Sequence, residues 1–291
     1  MKGIILAGGA GTRLYPLTQV TSKQLLAVYD KPMIYYPLSV LMMAGIRDIL
    51  IISTPFDLPN FERLLGDGRN LGISLCYKEQ PSPDGLAQAF IIGEEFIDGG
   101  NCAMILGDNI FYGNDFINLL RRAAEKPSGA TVFCCYVDDP GRFGVISFDE
   151  AGKVSEINEK PILSKSNYAI AGLYFYDGRC VEYAKSLKPG ERGELEITDL
   201  NNIYLKNEAL DVIMLGRGFT WIDVGTVDSL ADASAFIMSV EKRQGVKISA
   251  VEEVAYRMGF IDKERLATLA EGYGNSPYGE YLMAIVSGRI K

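Results

Sequence analysis

The amino-acid sequence predicts an α/β fold built on a mostly parallel sheet with helices on both faces. Up to Tyr136, short apolar runs alternate with helix-like segments that are long enough for right-handed crossovers. A cluster of glycines follows the first apolar run, as is typical of α/β folds that bind a ligand at a strand end. After Pro140 the pattern changes to β-rich runs with irregular spacing.

Each element of the first half has a local signal. The run from Lys2 to Leu6 is apolar and meets glycines, as expected for a buried first strand. Two helical segments stop at Gly45 and Gly66, and a third begins with a cap signal at Asp84. The predicted strands are residues 2–6, 48–53, 73–77, 102–106 and 130–136, and the predicted helices are residues 32–44, 57–65, 84–96 and 115–125.

The second half is predicted to add mixed strands to the sheet and to end in helices. No proline-, serine- or charge-rich linker divides the chain. We therefore expect one compact unit, residues 1–240, with a C-terminal helical extension, residues 241–291. The predicted strands are residues 144–148, 154–158, 169–176, 211–215 and 219–224, a helix is predicted over residues 198–206, and helices dominate from residue 227.

Composition excludes several classes of function. A formal net charge of −8 disfavours nucleic acid and anionic membranes as partners. No apolar run reaches the roughly 20 residues of a membrane span, and the first nine residues lack the features of a signal peptide, so we expect a cytoplasmic protein. The absence of histidine excludes Ser-His-Asp triads and histidine bases. The five cysteines lie in apolar runs without metal-ligand spacing and are interpreted as buried thiols.

The loop after the first strand is predicted to bind phosphate. It contains Gly8, Gly9 and Gly11, and glycines let backbone N–H groups approach an anion closely. Arg13 and Lys23 add positive charge for a triphosphate. A Walker A loop is excluded because Gly-Lys-Ser/Thr is absent. A dinucleotide fingerprint fits less well because Leu14 replaces the third glycine, although Asp30 lies near the position of a ribose-binding acid.

Two carboxylates follow apolar strands and are candidate metal ligands. Asp108 follows residues 103–107, and Asp223 follows residues 219–222. An acid at such a place is poorly solvated unless it meets a cation, and Mg²⁺ favours one or two carboxylates together with substrate phosphates. The alternative interpretation is that each aspartate caps a turn, for which Asp108-Asn109 is a suitable pair.

Two further charged segments have open interpretations. Residues 158–160 (Asn-Glu-Lys) end a strand, where the acid could accept sugar hydroxyls and Lys160 could hold a phosphate, although an exposed turn is the simpler explanation. Residues 193–199 are interpreted as a helix start with Thr198 as the cap.

The motifs taken together resemble the sugar nucleotidyltransferases, in particular the glucose-1-phosphate thymidylyltransferase (dTDP-glucose pyrophosphorylase) family. The similarity runs in order from the first strand to about residue 290. The motifs that carry it are GGAGTRL at 8–14, SKQLL at 22–26, DKPMIYYP at 30–37, QPSPDGLAQA at 80–89, LGDN at 106–109, EKP at 159–161 and GELEITD at 193–199.

This resemblance implies a function and an architecture. The expected fold is a Rossmann-like nucleotide-diphospho-sugar transferase domain with an inserted, β-rich sugar-binding part. The expected reaction converts dTTP and α-D-glucose 1-phosphate into dTDP-glucose and pyrophosphate with Mg²⁺. The resemblance also implies a homotetramer, and a second site near the C-terminal helices for an inhibitory dTDP-sugar.

The resemblance also implies the site residues. Arg13 and Lys23 are the expected catalytic cations, on the leaving pyrophosphate and on the α-phosphate, and Asp108 and Asp223 are the expected Mg²⁺ ligands. The expected nucleotide-binding residues are Gly8, Gly9, Gly11, Thr12, Arg13, Lys23, Gln24, Gln80, Gly85 and Asp108. The expected sugar-phosphate-binding residues are Asn109, Gly144, Glu159, Lys160 and Ile170.

The sequence departs from the family pattern at four positions. Val224 and Val227 replace polar neighbours of Asp223, which bears on the surroundings of the metal site. Asn158 stands where the family often has Glu, and Asn114 stands where it often has His. The alternatives that remain open are a preference for UTP or for another sugar 1-phosphate, a nucleotide-sugar sensor without catalysis, and an NAD-dependent oxidoreductase.

Overall fold

The computed structural model describes residues 1–9, 11–190 and 192–290. The chain alternates strands and helices through its first half, as the apolar runs predict. The strands are β1 (Lys2–Ala7), β2 (Ala27–Val28), β3 (Lys31–Pro32), β4 (Asp48–Ser53), β5 (Ser74–Glu79), β6 (Cys102–Leu106), β7 (Asn109–Tyr112), β8 (Ala130–Tyr136), β9 (Gly144–Phe148), β10 (Val154–Glu159), β11 (Tyr168–Tyr176), β12 (Leu210–Leu215) and β13 (Thr220–Asp223).

The helices cover both faces of the sheet and the C-terminal part of the chain. Several begin with side-chain caps; Thr226 and Ser229, for example, form a reciprocal capping box at the start of the eighth helix. The helices are α1 (Tyr35–Met43), α2 (Leu58–Leu65), α3 (Gln88–Ile92), α4 (Glu94–Ile97), α5 (Phe116–Ala124), α6 (Cys180–Ser186), α7 (Ile197–Lys206), α8 (Val227–Gln244), α9 (Val251–Arg257), α10 (Lys263–Gly272) and α11 (Pro277–Val286).

Over the part of the chain that the structure describes, the main sheet has nine strands and is mostly parallel in its centre. β5, β4, β1 and β6 are parallel neighbours in that order. β11 is antiparallel to both β6 and β8, so β8 runs in the same direction as β6, and β12 lies parallel beyond β8. The prediction of a mostly parallel α/β sheet is confirmed.

A split in the sheet opens a crevice at the carboxyl end of β6. The second half of β11 pairs with β6, whereas its first residues pair with β9, whose other edge carries β10. Ile170, Gly172 and Tyr174 alternate along β11, and side chains at this spacing point to one face of a strand. All three line a cavity in this crevice.

Alternate residues of each central strand fill two apolar layers. Ile5 and Ile51 pack on one face with α1, α5 and α9, and Ile4 and Leu50 pack on the other face with α3, α6 and α7. The layer around α9 includes Val251, so the C-terminal part packs directly on the α/β part. Within the described residues, no helix has both the length and the apolar character that crossing a membrane requires.

Three local predictions need correction. The helix predicted over residues 84–96 is instead a loop followed by the short helices α3 and α4. Backbone hydrogen bonds from Leu195 N to Asp84 O (2.7 Å) and from Ala87 N to Leu195 O (3.1 Å) hold the loop. Thr198 is not the cap of α7, because the helix begins at Ile197 and the Thr198 hydroxyl donates to Glu159. Cys76 is exposed and Cys135 half-buried, whereas the other three cysteines are buried as predicted.

Candidate active site

Two cavities adjoin at the carboxyl ends of β1 and β6. The first has a volume of about 200 Å³ and the second about 490 Å³, and they share Leu86 and Leu106 as wall residues. Of the predicted nucleotide-binding residues, the first cavity is lined by Gly8, Gly9, Lys23, Gln24, Gln80, Gly85 and Asp108. The second cavity is lined by Arg13 and Asp223 and by all the predicted sugar-phosphate residues, Asn109, Gly144, Glu159, Lys160 and Ile170.

The glycine loop forms the wall of the first cavity between β1 and Lys23. Gly9 and Gly11 have φ angles of 102° and 58°, which favour glycine. A Cβ atom on Gly8 would lie 2.4 Å from Gln80 Oε1, so a side chain at this position would displace the Gln80 amide. Gly11 and Thr12 line neither cavity; the Gly11 carbonyl accepts a hydrogen bond from Thr18 Oγ1 (2.7 Å), and Thr12 begins a 3₁₀ turn that carries Arg13.

Lys23, Asp108, Asn109 and Asp223 form a continuous line of contacts across the boundary of the two cavities. Lys23 Nζ pairs with Asp108 Oδ2. Asn109 Nδ2 donates to Asp108 Oδ1 (2.9 Å) and to Asp223 Oδ1 (3.3 Å). Strand pairing explains this arrangement, because Asp223 at the end of β13 lies opposite Asn109 at the start of β7. The two predicted metal ligands therefore meet in space.

The electrostatics of this line favour an additional cation. Burial and the nearby charge of Asp108 raise the pKa of Asp223 to about 6, against the opposing effect of Lys23, Arg142 and Arg13. Burial alone would lower the pKa of Lys23, but the charge of Asp108 and its hydrogen bond raise it above the ordinary value. Asp223 is thus a carboxylate whose charge is not fully compensated by the protein.

Asp108 and Asp223 are the residues that could hold a metal ion here. Both offer oxygen ligands, the kind that Mg²⁺ prefers. Among the described residues no group of three or more His, Cys, Asp or Glu side chains is arranged to hold a metal ion by itself. A cation at this pair would therefore need further oxygens, which phosphate groups and water can supply.

The Asn109 amide orients both carboxylates. It is buried, and its Oδ1 accepts hydrogen bonds from Trp221 Nε1 (2.6 Å) and from Gly172 N (3.1 Å). With the two bonds that Nδ2 donates, the amide uses all its donors and two acceptor positions. The orientation of Asn109 is therefore determined by β11 and β13, and Asn109 in turn positions Asp108 and Asp223.

The far wall of the second cavity carries a charged cluster around Glu159. Glu159 accepts from Thr198 Oγ1 (2.5 Å) and from Arg192 Nη2 (3.2 Å), and Lys160 Nζ lies 3.4 Å from its Oε1. Lys160 has a φ of 40°, unusual for a residue with a side chain. A Cβ on Gly144 would lie 2.9 Å from Thr198 Oγ1, so this wall requires glycine at the start of β9.

Several residues of the site were missed in the sequence. Arg142 and Arg192 bring two further cations to the second cavity, and Thr198, Tyr174 and Trp221 also line it. The position of Arg192 directly before the GELEITD motif was an available signal. Arg142 lies in a short 3₁₀ turn after Pro140, and no local pattern distinguishes it from a surface arginine.

Comparisons with known proteins identify the family. Residues 2–240 match the family described as nucleotidyl transferase. The chain is 57% identical over 286 residues to a glucose-1-phosphate thymidylyltransferase of Neisseria meningitidis serogroup A, with 98% of this chain and 99% of the relative covered. It is 53% identical over 286 residues to the enzyme of the same name from Mycobacterium tuberculosis strain H37Rv, with the same shares covered.

Solved structures are similar in fold. A structure from Bacillus anthracis, described as a glucose-1-phosphate thymidylyltransferase in complex with a sucrose, has a TM-score of 0.75 and 44% identity. The similarity covers 81% of this chain and 94% of that chain. A UDP-glucose pyrophosphorylase complexed with UDP-glucose has a TM-score of 0.69 and 26% identity, covering 82% and 98%.

Proposed function

The chain belongs to the nucleotidyl transferase family, and from this premise we propose that it makes dTDP-glucose and pyrophosphate from dTTP and α-D-glucose 1-phosphate. The observation that carries the proposal is the line of Lys23, Asp108, Asn109 and Asp223 at the boundary of two adjoining cavities. One cavity has a glycine loop for a nucleotide, and the other has cations and hydroxyl-binding groups for a sugar phosphate. The reacting groups would meet at this boundary.

The chemistry needs no general base, which suits a chain without histidine. A phosphate monoester has a second pKa of about 6, so the sugar phosphate is largely dianionic at neutral pH. One of its oxygens forms a bond to the α-phosphorus of dTTP in line with the bond that breaks, and pyrophosphate leaves. The barrier that remains is repulsion between two polyanions, so positioning and charge stabilisation carry the catalysis.

Each cation has a proposed role. Lys23 binds the α-phosphate in the first cavity, and Arg13 binds the leaving pyrophosphate. Lys160 holds the phosphate of the sugar in the second cavity, where Arg142 and Arg192 add positive charge. Glu159, which Thr198 and Arg192 orient, accepts hydrogen bonds from sugar hydroxyls. Gly8, Gly9, Gln24, Gln80 and Gly85 contact the nucleotide, whereas Gly11 and Thr12 shape the loop that carries Arg13.

Enzymes of this family generally depend on a divalent metal ion. We propose that Asp108 and Asp223 hold Mg²⁺, because they are two neighbouring oxygen donors and the pKa of Asp223 is raised to about 6 by burial and by Asp108. When bound, Mg²⁺ neutralises charge on phosphate oxygens. Asn109 keeps both carboxylates turned towards the boundary of the cavities.

The test is a pyrophosphate-release assay over a grid of four nucleoside triphosphates and several sugar 1-phosphates, with and without Mg²⁺. We expect the highest kcat/KM with dTTP and glucose 1-phosphate and loss of activity when EDTA removes the metal. A higher kcat/KM with UTP or with another sugar 1-phosphate would support the alternative within the family. Binding of dTTP without pyrophosphate release would support a nucleotide-sugar sensor.

The oxidoreductase alternative is not retained. The chain belongs to the nucleotidyl transferase family, and Leu14, at the position of the third glycine of a dinucleotide fingerprint, is buried. Asp30 pairs with Lys31 and Lys247 instead of facing either cavity of the candidate site.

A third cavity is the proposed site for an inhibitory dTDP-sugar. Its volume is about 720 Å³, and it lies between the start of α5 and the segment that leads into α9. Arg121, Lys247 and Arg257 line it together with Asn114. Lys247 pairs with Asp30 and Arg257 with Glu253, so a diphosphate would bind these cations in competition with the two carboxylates. Calorimetric titration with dTDP-rhamnose, after dTTP has saturated the active site, tests this proposal.

The proposed assembly is a homotetramer, and the proposed location is the cytoplasm. Both proposals follow from the resemblance to the family, which extends over nearly the full chain. Light scattering at several protein concentrations measures the oligomeric state.

A further inference from the structure

A chain of side-chain hydrogen bonds runs from the first cavity to the protein surface. Gln80, which is buried, donates from Nε2 to Gln88 Oε1 (2.7 Å). Gln88 donates from Nε2 to Asp84 Oδ2 (2.9 Å), which also accepts from the Ser82 hydroxyl. The inner end of the chain lines the cavity, and the outer end is an exposed carboxylate.

The carboxylate determines the direction of every hydrogen bond in this chain. A carboxylate accepts hydrogen bonds and has none to donate, so the Gln88 amide must turn its NH₂ group towards Asp84. The Gln88 oxygen then faces Gln80, and an amide oxygen also only accepts. Gln80 must therefore turn its own NH₂ group towards Gln88, which leaves its oxygen directed elsewhere.

The oxygen of Gln80 is left as an acceptor at the cavity wall. Oε1 lies beside Gly8, since a Cβ atom on Gly8 would be 2.4 Å from it, and both residues line the first cavity. Within the described part of the chain, no hydrogen bond to this oxygen is found. A ligand in the first cavity therefore meets an acceptor at this point and not a donor.

The loop that carries these hydrogen-bonded side chains is held in place by backbone contacts with Leu195. Leu195 N donates to Asp84 O, and Ala87 N donates to Leu195 O. Gly85 has a φ of 109°, and a Cβ there would lie 2.4 Å from Leu195 O. Asp84 is thus held in place by backbone contacts with Leu195, and the side chains add the direction of hydrogen bonding.

We propose that Asp84 and Gln88 are positioning residues that determine which bases the first cavity accepts. By holding Gln80 with its oxygen beside Gly8 at the first cavity, they select a base whose ring nitrogen carries a hydrogen, as N3 of thymine and uracil does. Cytosine has an unprotonated acceptor at N3 and would meet the Gln80 oxygen as a second acceptor. The proposal rests on the proposed function, in which the first cavity holds the nucleotide, and it adds the origin of base selection.

The test allows the chain of hydrogen bonds to reverse with one substitution, because an asparagine amide can donate as well as accept. In Asp84→Asn, the new amide can donate to Gln88 Oε1, so that Gln88 and then Gln80 can turn over and present an NH₂ group to the base. We expect the ratio of kcat/KM for dTTP to that for dCTP to fall about tenfold, the value of one hydrogen bond, mainly through KM. Turnover with saturating dTTP should stay within a few-fold of the wild type, because neither residue touches the reacting groups.

A double variant separates positioning from a general structural effect. In Asp84→Asn with Gln88→Glu, the amide at 84 donates to the carboxylate at 88, which again accepts from Gln80 Nε2. The ratio of kcat/KM for dTTP to that for dCTP should return towards the wild-type value, although the carboxylate is now at position 88 and no longer at position 84. Asp149→Asn is the control for loss of one negative charge, since the Asp149 carboxylate accepts hydrogen bonds from backbone N–H groups of its own turn.

The preference for dTTP over dCTP can also be measured as the ratio of their binding affinities, which does not require turnover. An unchanged ratio in Asp84→Asn, or a ratio that the double variant fails to restore, would overturn the inference. If the wild type binds dTTP tightly but releases no pyrophosphate with any sugar phosphate, the proposed reaction is wrong. The binding ratios of the variants would still decide the role of Asp84 and Gln88.

Discussion

At the scale of single residues, Asn109 joins the two halves of the candidate site. The sequence motif assigns it to the sugar phosphate, and it does line the second cavity. Its buried amide also connects Gly172 and Trp221 to the carboxylates of Asp108 and Asp223. A residue with this many partners contributes to stability as well as to the geometry of the site.

Replacing Asn109 by leucine, which has a similar shape, should destabilise the protein. Gly172 N–H and Trp221 Nε1–H would each lose their acceptor inside the protein, at about 1–3 kcal/mol for each buried donor. Urea unfolding measures the effect, and Mn²⁺ titration followed by electron paramagnetic resonance should show weaker metal binding. The control is Asn207→Leu on the surface. Equal stability of the two variants would contradict the role given to Asn109.

Arg13 offers a test of charge stabilisation at the boundary of the cavities. Its side chain is exposed, so Arg13→Ala should leave the fold intact. Turnover should fall on the order of 10²–10⁴, as it does when a group that stabilises developing charge is removed. Arg69→Ala, which changes an exposed arginine away from both cavities, is the control in the same pyrophosphate-release assay. Near-normal turnover of Arg13→Ala would remove this residue from the mechanism.

Val224, one of the departures from the family pattern, faces away from the proposed metal site. It is fully buried in an apolar cluster with Met33, Tyr36 and Ile237. Its backbone N–H donates to the carbonyl of Asp108 (3.0 Å), so it still helps to hold the two aspartates together. The apolar side chain at this position therefore belongs to the core and does not replace a group of the proposed metal site.

At the scale of elements, short segments place the functional groups. The pairing of β7 with β13 aligns Asn109 with Asp223, and β7 was not predicted from the sequence. The loop from Gln80 to Gln88 was predicted to be partly helical, yet its contacts with Leu195 keep it extended into the first cavity. In both segments contacts with distant residues override the local pattern, as they often do for short elements.

Gly85 is the element-scale test of this loop. Gly85→Ala would place a Cβ atom 2.4 Å from Leu195 O at a φ of 109°, so the loop must move away from Leu195. We expect a loss of stability larger than about 1–2 kcal/mol, the cost of the backbone conformation alone, and a higher KM for dTTP. Gly99→Ala is the matched control, because Gly99 has a φ of 65° but no atoms near a new Cβ. Similar losses in both variants would mean that the contact with Leu195 is unimportant.

At the scale of the whole molecule, an ion-pair cluster joins the N-terminal and C-terminal parts of the chain. Lys31, which is buried, pairs with Asp30 and with Glu241 (2.9 Å), and Lys247 also pairs with Asp30. Glu241 Oε1 further accepts from the backbone of Ile248 (2.8 Å). These contacts cross residue 240, and the division there into a domain and an extension stays a prediction.

The cluster should make stability depend on pH. Burial alone would raise the pKa of Asp30, but Lys31 and Lys247 lower it below its ordinary value. A lowered pKa in the folded state stabilises the fold above the unfolded pKa of about 3.9 and loses this effect as the pH falls further. Asp30→Asn should therefore lose about 1–3 kcal/mol at pH 7 and a smaller amount near pH 3.

Chemical unfolding of the wild type and of Asp30→Asn at both pH values measures this difference. The control is Asp48→Asn, which removes a surface pair with Lys2 (3.5 Å) and should change stability by about 0–1 kcal/mol at pH 7. A constant difference between wild type and Asp30→Asn across this pH range would show that Asp30 does not titrate with folding.

Much of the architecture is predictable from the sequence because its signals are local. The parallel strands and the helices on both faces follow from the spacing of apolar residues, and the glycine loop and its cations follow from residue types near the end of β1. Similarity to the motifs of the family identifies Gln80, Glu159 and Lys160 as further site residues, and these line the expected cavities. Arg142 and the correct start of α7 were missed because contacts far away in the chain determine them.

The sequence alone determined the α/β fold, the family, the phosphate-binding loop and the two candidate acids, since periodicity and side-chain chemistry are properties of short stretches of chain. Only the tertiary structure decided that Asp108 and Asp223 share one amide, that the first residues of β11 pair with β9 and its second half with β6, and that Gln80 turns its oxygen towards Gly8. Strand pairing and the direction of a hydrogen bond depend on partners from distant parts of the chain, and these partners meet only when the chain has folded.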